Sequence, residues 1–277
     1  MAATIEGLNA ADWIQKATKE LEEAGVENAK IDAQMLATHA VGHDRSWILA
    51  HPEAHIPSTS TDLLARRVAR EPLAYILGWR EFYGRRFEVG PGVLVPRQET
   101  ESLVDVALEG LGGKVLDVGT GSGCLAITIK LERPQWMVAA CDISQAAVNL
   151  ARKNAENLDA VVHLAKSDLF NSFQEVQFGL IVSNPPYIAN SETLQPEVGN
   201  FEPKEALFAG PQGLDFYERL ASESQKHLTS WGRLIVELGD GMSNAVVGVF
   251  EDQGWRTSEV RADLGGMPRA AVFLKKA

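Results

Sequence analysis

"VLDVGTGSGCLAI", Val115–Ile127, decides the fold. Val115, Leu116 and Val118 read as a strand. Gly119, Gly121 and Gly123 then follow at every second position, and Leu125, Ala126 and Ile127 open a helix. Strand, tight glycine turn and helix in this order make one half of an open α/β unit. Glycines let a backbone approach a ligand closely, and the start of the helix offers unpaired N–H groups. The spacing is Gly-x-Gly-x-Gly. The dinucleotide fingerprint would require Gly-x-Gly-x-x-Gly, and Cys124 stands where its third glycine would be.

Working outward, short β-prone runs recur at Lys114–Val118, Trp136–Cys141, Val161–Leu164, Phe178–Ser183, Arg233–Leu238, Trp255–Val260 and Ala270–Leu274. Helical stretches separate the earlier ones. Such alternation predicts a seven-stranded, mostly parallel sheet covered on both faces. The last two runs leave no room for a helix between them, so they are expected to form a hairpin that makes one edge strand antiparallel. Asp142 ends the second strand, placed to accept hydrogen bonds from the hydroxyls of a ribose. Asp168, followed by Leu169, ends the third, where it could read an adenine amino group. A glycine loop alone is weak evidence, and Asp142 alone could be a helix cap. Together, on successive strand ends, they argue for a nucleoside ligand, because open α/β sheets bind at the carboxyl ends of their strands. The glycine spacing favours S-adenosylmethionine over NAD. Gly119, Thr120, Gly121, Ser122 and Gly123 then meet the amino-acid end of that ligand.

"NPPY", Asn184–Tyr187, closes the fourth strand on the same rim. Pro185 biases Asn184 toward extended backbone, and both prolines fix φ and remove a donor. What remains is a rigid corner rich in acceptors, the Asn184 side-chain oxygen and free carbonyls, with Tyr187 as a flat face beside it. Such a corner suits a planar –NH2 group. Each N–H finds an acceptor, and the nitrogen can be held in line with an electrophilic methyl group, which is mostly a matter of orientation. As an isolated tetrapeptide the corner could simply turn the chain; downstream of this glycine loop the chemical reading is preferred. No Ser-His-Asp arrangement and no metal is needed.

The first eighty residues differ. Asn9 or Asp12 can cap a helix running to Gly25 with Trp13, Ile14, Ala17 and Leu21 on one stripe. A second helix is expected over Ala29–Val41, with Ile31, Met35, Leu36 and His39 inward and Gly42 as its stop. A third begins near Ser60–Asp62 and carries Leu63, Leu64 and Val68. "WREFYGRRFEVGPGVLVP" reads as a hairpin. The expected organisation is a helical domain over 1–78, a β-hairpin linker over 79–96 and a catalytic domain over 97–277.

With 277 residues, 45% hydrophobic and 23% charged, the chain has an ordinary globular composition. No apolar run approaches the roughly 20 residues that span a bilayer. Residues Met1–Ala11 carry no basic start or apolar core, and the two cysteines make no disulfide framework, so a cytoplasmic protein is expected. Neither cysteine follows a proline, which weakens any reading as a covalent pyrimidine methylase of the Pro-Cys type. A net charge of -11 argues against direct binding of long nucleic acid. Arg66, Arg67, Arg70 and Arg80 form a loose basic cluster, read as a solvated helix face. His39 with His43, and His51 with His55, have helical spacing but lack the glutamate of the zinc-protease motif, and are read as ordinary histidines. Glu237 ends the fifth strand, where it could face the site or equally cap Gly239–Gly241.

Taken together, Asn184–Tyr187 and the loop Asp117–Gly123 resemble the S-adenosylmethionine-dependent amino-group methyltransferases. "REPLAYILGWREFYG" (Arg70–Gly84), "LVPRQETE" (Leu94–Glu101), "FEPKEALFAGPQGLDFY" (Phe201–Tyr217), "IDAQMLATHAVG" in the helical region and the late "DLGGMPR" narrow the resemblance to the HemK/PrmC protein-(glutamine-N5) methyltransferases, over almost the whole chain. That resemblance implies a Rossmann-like class I methyltransferase fold preceded by a small N-terminal helical domain. It implies that Asn184 and the Pro185 carbonyl hold a glutamine amide, with Pro186 and Tyr187 shaping its slot. Residues 119–123, Asp142, Asp168, Leu169 and Asn184 would bind the cofactor, and Arg97, Glu99 and Glu101 would lie in a segment covering it. The implied substrate is the glutamine of the Gly-Gly-Gln loop in class-1 peptide chain release factors, docked by the helical domain onto a monomer. "GGMPR" departs from relatives that often carry a different residue pair before the arginine. Glutamine methylation of a ribosomal protein, adenine or guanine amino methylation of a nucleic acid, and a non-enzymatic S-adenosylmethionine sensor are the competing readings. The acidic balance counts against the second and the intact Asn184 corner against the third.

Overall fold

The computed structural model describes residues 7–110, 112–263 and 265–276. Residues 1–6, where the expected helical domain begins, lie outside the described residues. The chain forms two compact units. One comprises residues up to Gly78 together with Leu194–Phe201, and the other comprises Trp79–Thr193 and Glu202 onward.

The first unit is built from α1 (Ala10–Glu23), α2 (Ala29–Val41), α3 (Arg45–Ala50), α4 (Thr59–Val68) and α5 (Leu73–Leu77). Asn9 caps α1, its side-chain oxygen accepting from the Asp12 N–H at 2.9 Å. Trp13, Ala17 and Leu21 are buried as the spacing predicts. Gly42 ends α2 in the left-handed conformation, φ 77°, its N–H returning to the Thr38 carbonyl. The inward face of α2, however, is not the expected one. Asp32, Ala33, Gln34, Leu36 and Ala37 are buried, whereas Ile31 is 48% exposed and His39 faces solvent. Buried polar partners explain the rotation. Arg67 Nε donates to Asp32 at 2.7 Å and Arg45 Nε donates to Gln34 at 2.8 Å, so the polar side chains are satisfied inside. The same contacts overturn the solvated reading for Arg67 and Arg70, while Arg66 and Arg80 are exposed as expected. Arg67 is buried and Arg70 largely so, and both grip Glu197 of the 194–201 segment, at 3.0 and 2.6 Å.

The second unit opens with a hairpin of β1 (Trp79–Phe82) and β2 (Arg85–Glu88). Tyr83 and Gly84 turn it with φ of 50° and 70°, as a two-residue turn between twisted strands requires. There follow α6 (Glu101–Leu108), β3 (Lys114–Val118), α7 (Cys124–Glu132), β4 (Met137–Asp142), α8 (Gln145–Asn157), β5 (Val162–Lys166) and β6 (Phe178–Ser183). The segment shared with the first unit carries the one-turn α9 (Pro196–Gly199). Next come α10 (Asp215–Glu223), β7 (Leu228–Glu237), α11 (Ser243–Asp252), β8 (Trp255–Ala262) and β9 (Pro268–Lys275).

The seven strands run in the order β5-β4-β3-β6-β7-β9-β8, parallel except for β9. The antiparallel strand is therefore not at the edge, as the sequence led us to expect. The chain makes β8 first as the outer strand, then folds β9 back between β8 and β7. Leu180 and Val182 of β6 feed one apolar layer with Val115, Leu125 and Ile129. Ile181 of the same strand joins Leu116, Phe250 and Trp255 in the other. Successive side chains on a strand point to opposite faces, so β6, buried at all six positions, has a core on each side. Strand order reverses between β3 and β6. That is the switch point at which open α/β sheets leave a crevice at their carboxyl ends.

Candidate active site

The two motifs singled out from the sequence leave adjacent strands. The glycine loop follows β3 and the Asn184 corner follows β6, and β3 pairs with β6 in the register Leu116↔Ile181 and Asp117↔Val182. The loop is shaped from below by Asp117. Its Oδ2 accepts from Thr120 Oγ1 at 2.7 Å and from the Ala126 N–H at 3.3 Å, which draws the turn onto the start of α7. Its Oδ1 has no hydrogen-bond partner. Burial pushes this carboxyl up to about 7. The N–H groups of Gly119 and Thr120 both donate to the Cys141 carbonyl at 2.9 Å, tying the loop to β4. At Gly123, φ +84°, a Cβ would lie 2.8 Å from Ile127 and 3.1 Å from the Ala151 side chain. This glycine is there for close packing.

Asp142, at the end of β4, accepts from the Gly121 N–H and the Ser144 N–H, each at 2.9 Å. Burial raises its pKa and these two bonds lower it. Each oxygen keeps acceptor capacity toward the rim. Asp168 is half-exposed, and one of its oxygens accepts from Arg219 of α10 at 2.9 Å, a partner with no signal in the sequence. Leu169 is buried with φ 46°, and its carbonyl accepts from the Cys141 thiol. These residues fit S-adenosylmethionine. A Cβ added at Gly119 would meet nothing within 4 Å, so the loop faces open space. Two carboxylates, Asp142 and Asp168, stand at the next two strand ends.

At the corner, Asn184 is half-buried and its Nδ2 donates to Thr100 Oγ1 at 3.0 Å. With the nitrogen committed, Oδ1 is left to accept. Pro185 is buried, and Pro186 and Tyr187 are partly so. Two glycines brace Tyr187. A Cβ at Gly213 would lie 2.1 Å from the Tyr187 carbonyl oxygen, and one at Gly239 would lie 2.8 Å from its ring. Burial pushes the Tyr187 hydroxyl up to about 12, so it stays protonated. The chain beyond is tied to the 207–209 segment through Ile188, whose N–H reaches the Leu207 carbonyl at 2.9 Å.

Glu237 ends β7 beside this corner, 2% exposed, with its Oε2 unpartnered. Burial pushes it up to about 7. Sequence reasoning left it open between facing the site and capping Gly239–Gly241, and gave no role to Thr100 or Gly213; the short "ETE" and "ELGDG" runs carry no periodicity to betray them. Arg97 grips the buried Glu202 at 2.6 Å, and Glu101 accepts from the Tyr83 N–H at 2.8 Å. Among the described residues, no group of three or more His, Cys, Asp and Glu is placed to hold a metal ion. No helix of the described residues is long and apolar enough to cross a membrane.

Known proteins agree with this architecture. Residues 12–78 match the PrmC N-terminal domain family and residues 96–201 the Methyltransferase small domain family. A release factor glutamine methyltransferase of Koribacter versatilis is 39% identical over 94% of this chain and 96% of its own. One from Neisseria gonorrhoeae is 42% identical over 88% and 92%. Among solved structures, a methyltransferase from Pyrococcus furiosus superposes with TM-score 0.54 at 20% identity, over 79% of this chain and all of its own, which shows the shared class I fold. The extent of these matches and the strand order agree: the chain belongs to the HemK/PrmC family of release factor glutamine methyltransferases.

Proposed function

We propose that this protein transfers the methyl group of S-adenosylmethionine to the side-chain amide nitrogen, N5, of the glutamine in the Gly-Gly-Gln loop of a class-1 release factor. The observation that carries this reading is the commitment of Asn184 Nδ2 to Thr100, which leaves Oδ1 as the acceptor of the corner. Bound S-adenosylmethionine supplies a methyl carbon made electrophilic by a positively charged sulfur. Asn184 Oδ1 and the Pro185 carbonyl each accept one N–H of the substrate amide. The amide plane is thereby fixed between Pro186 and Tyr187, with the nitrogen aimed at the methyl. Transfer of the methyl group would place positive charge on the nitrogen, which these two fixed dipoles favour, and the extra proton would pass from the nitrogen to solvent water. Gly119 to Gly123, Asp142, Asp168 and Leu169 hold the cofactor, and the helical unit docks the release factor.

The test is incubation with methyl-labelled S-adenosylmethionine and a release factor, in native form and with its loop glutamine changed to alanine. Label on the native factor alone supports the proposal. Label on a ribosomal protein or on RNA, with none on the factor, replaces it.

A further inference from the structure

Glycine loses more backbone freedom on ordering than any other residue, so a loop with three of them needs outside support to hold one geometry. Gly119, Gly121 and Gly123 all have positive φ, 77°, 55° and 84°. The first part of the loop leans on β4: Gly119 and Thr120 donate to the Cys141 carbonyl and Gly121 donates to Asp142. The last peptide, between Ser122 and Gly123, is held from elsewhere. Its N–H donates back to the Thr120 carbonyl at 2.8 Å. Its carbonyl, which is buried, accepts from Asn154 Nδ2 of α8 at 2.8 Å. Asn154 is 1% exposed, and both ends of its amide are engaged. Nδ2 also donates to the Glu88 carbonyl at 3.0 Å, and Oδ1 accepts from the Glu88 N–H at 2.8 Å. Asn154 thus gives the last residue of β2 the pair of bonds that a neighbouring antiparallel strand would give. Three residues earlier on the same helix face, Ala151 lies 3.1 Å from where a Gly123 Cβ would stand.

We propose that Asn154 is a positioning residue for cofactor binding. It pins the Ser122–Gly123 peptide of the glycine loop to the end of the hairpin, so that the loop holds its binding geometry before S-adenosylmethionine arrives. This rests on the reading of residues 119–123 as the cofactor loop and not on the identity of the methyl acceptor. An amide suits the task because one planar group supplies two donors and an acceptor. Aspartate keeps the shape and the acceptor for the Glu88 N–H, but sets an oxygen against two carbonyls. Without the Asn154 donor the Ser122 carbonyl is left buried and unpaired. The loop escapes that cost by moving, and ligand binding must then reorder it. The Glu88 carboxylate is a separate matter. It meets Asn157 Nδ2 at 2.9 Å and Lys153 on the exposed side of α8, so it can be removed while both backbone groups stay in place.

Asn154→Ala and Asn154→Asp should each weaken S-adenosylmethionine binding about tenfold by calorimetry. The KM for the cofactor should rise by a like factor, with kcat at saturating cofactor within about threefold of wild type. Glu88→Ala, which loses only a surface ion pair, should bind the cofactor within about twofold of wild type. Phe250→Leu, a core truncation on α11, serves as the stability control: it should lower the melting temperature and leave cofactor affinity unchanged. In the free wild-type enzyme the Asn154 side-chain amide protons should exchange slowly with solvent, a readout that needs no variant to fold. Rapid exchange there would overturn the preformed tie. Wild-type affinity in both Asn154 variants, beside an impaired Asp142→Ala, would overturn the positioning role. An affinity loss in Phe250→Leu as large as in Asn154→Ala would overturn it too, by making the effect one of general stability. Unchanged affinity in Asp142→Ala and in both Asn154 variants would overturn the loop assignment and this proposal with it. An enzyme that shows the expected variant effects on the cofactor, yet labels no release factor, would refute the proposed substrate and leave Asn154 in its role.

Discussion

In the proposed reaction Asn184 carries the chemistry and little of the fold. Asn184→Ala should leave S-adenosylmethionine affinity within about twofold and reduce methyl transfer at least about 100-fold, in line with the loss of a fixed dipole at a developing charge. Calorimetry beside a labelling assay checks both halves, and lost cofactor affinity would mean that the role is wrongly assigned. Asp142→Ala should do the reverse. With its acceptors gone, cofactor affinity should fall about tenfold or more, the worth of one or two hydrogen bonds to a charged group, and an unchanged dissociation constant would contradict the ribose assignment. Asn184, Asp142 and the glycines were legible because each sits where a strand must end, a place the sequence marks clearly. Thr100 and Glu237 were not. Their placement beside the corner depends on β7 pairing with β6 and on the bond from Asn184 to Thr100 at the start of α6, and neither is written locally.

The elements around the corner tell the same story at larger grain. Gly213 and Gly239 come from loops remote in sequence, and both press on Tyr187. Gly213→Ala meets a positive φ of 74° as well as the Tyr187 carbonyl, so it should displace the corner. We expect a loss of about 1–3 kcal/mol in stability and a larger loss of activity than of cofactor affinity, read by denaturant titration and kinetics together. The β3 to β6 core was predictable because continuous apolar runs between turn signals have few alternative uses. The order of β9 and β8 was not. Hairpin connection fixes that the two strands pair, but not which of them meets β7. The inward face of α2 was misread for a related reason: Asp32 and Gln34 look like surface residues until Arg67 and Arg45 arrive from other helices.

Across the whole molecule, buried charge governs how the two units respond to stress. In the first unit, Asp32→Ala would strand Arg67 with only part of its acceptor set, and breaking a buried pair from one side costs about 3–5 kcal/mol; thermal unfolding should show it. In the second unit, Asp117 and Glu237 both have pKa values raised to about 7 by burial. The folded form therefore holds protons that the unfolded chain has already released. Their stabilisation is full below the ordinary carboxylate range and is lost as pH climbs to about 7, on the order of 3 kcal/mol per group. The melting temperature of the free protein should decline over that window and level off above it, and Asp117→Asn with Glu237→Gln should flatten the decline. The central claim, that the rim at the β3–β6 switch point methylates a glutamine amide, has a more direct test. A release factor treated with enzyme and S-adenosylmethionine should be fragmented and sequenced by mass spectrometry. A single added methyl on the side-chain nitrogen of the Gly-Gly-Gln glutamine, absent with the Asn184→Ala enzyme, is the predicted result. A methyl on any other residue, or the same methyl placed equally well without Asn184, would contradict it.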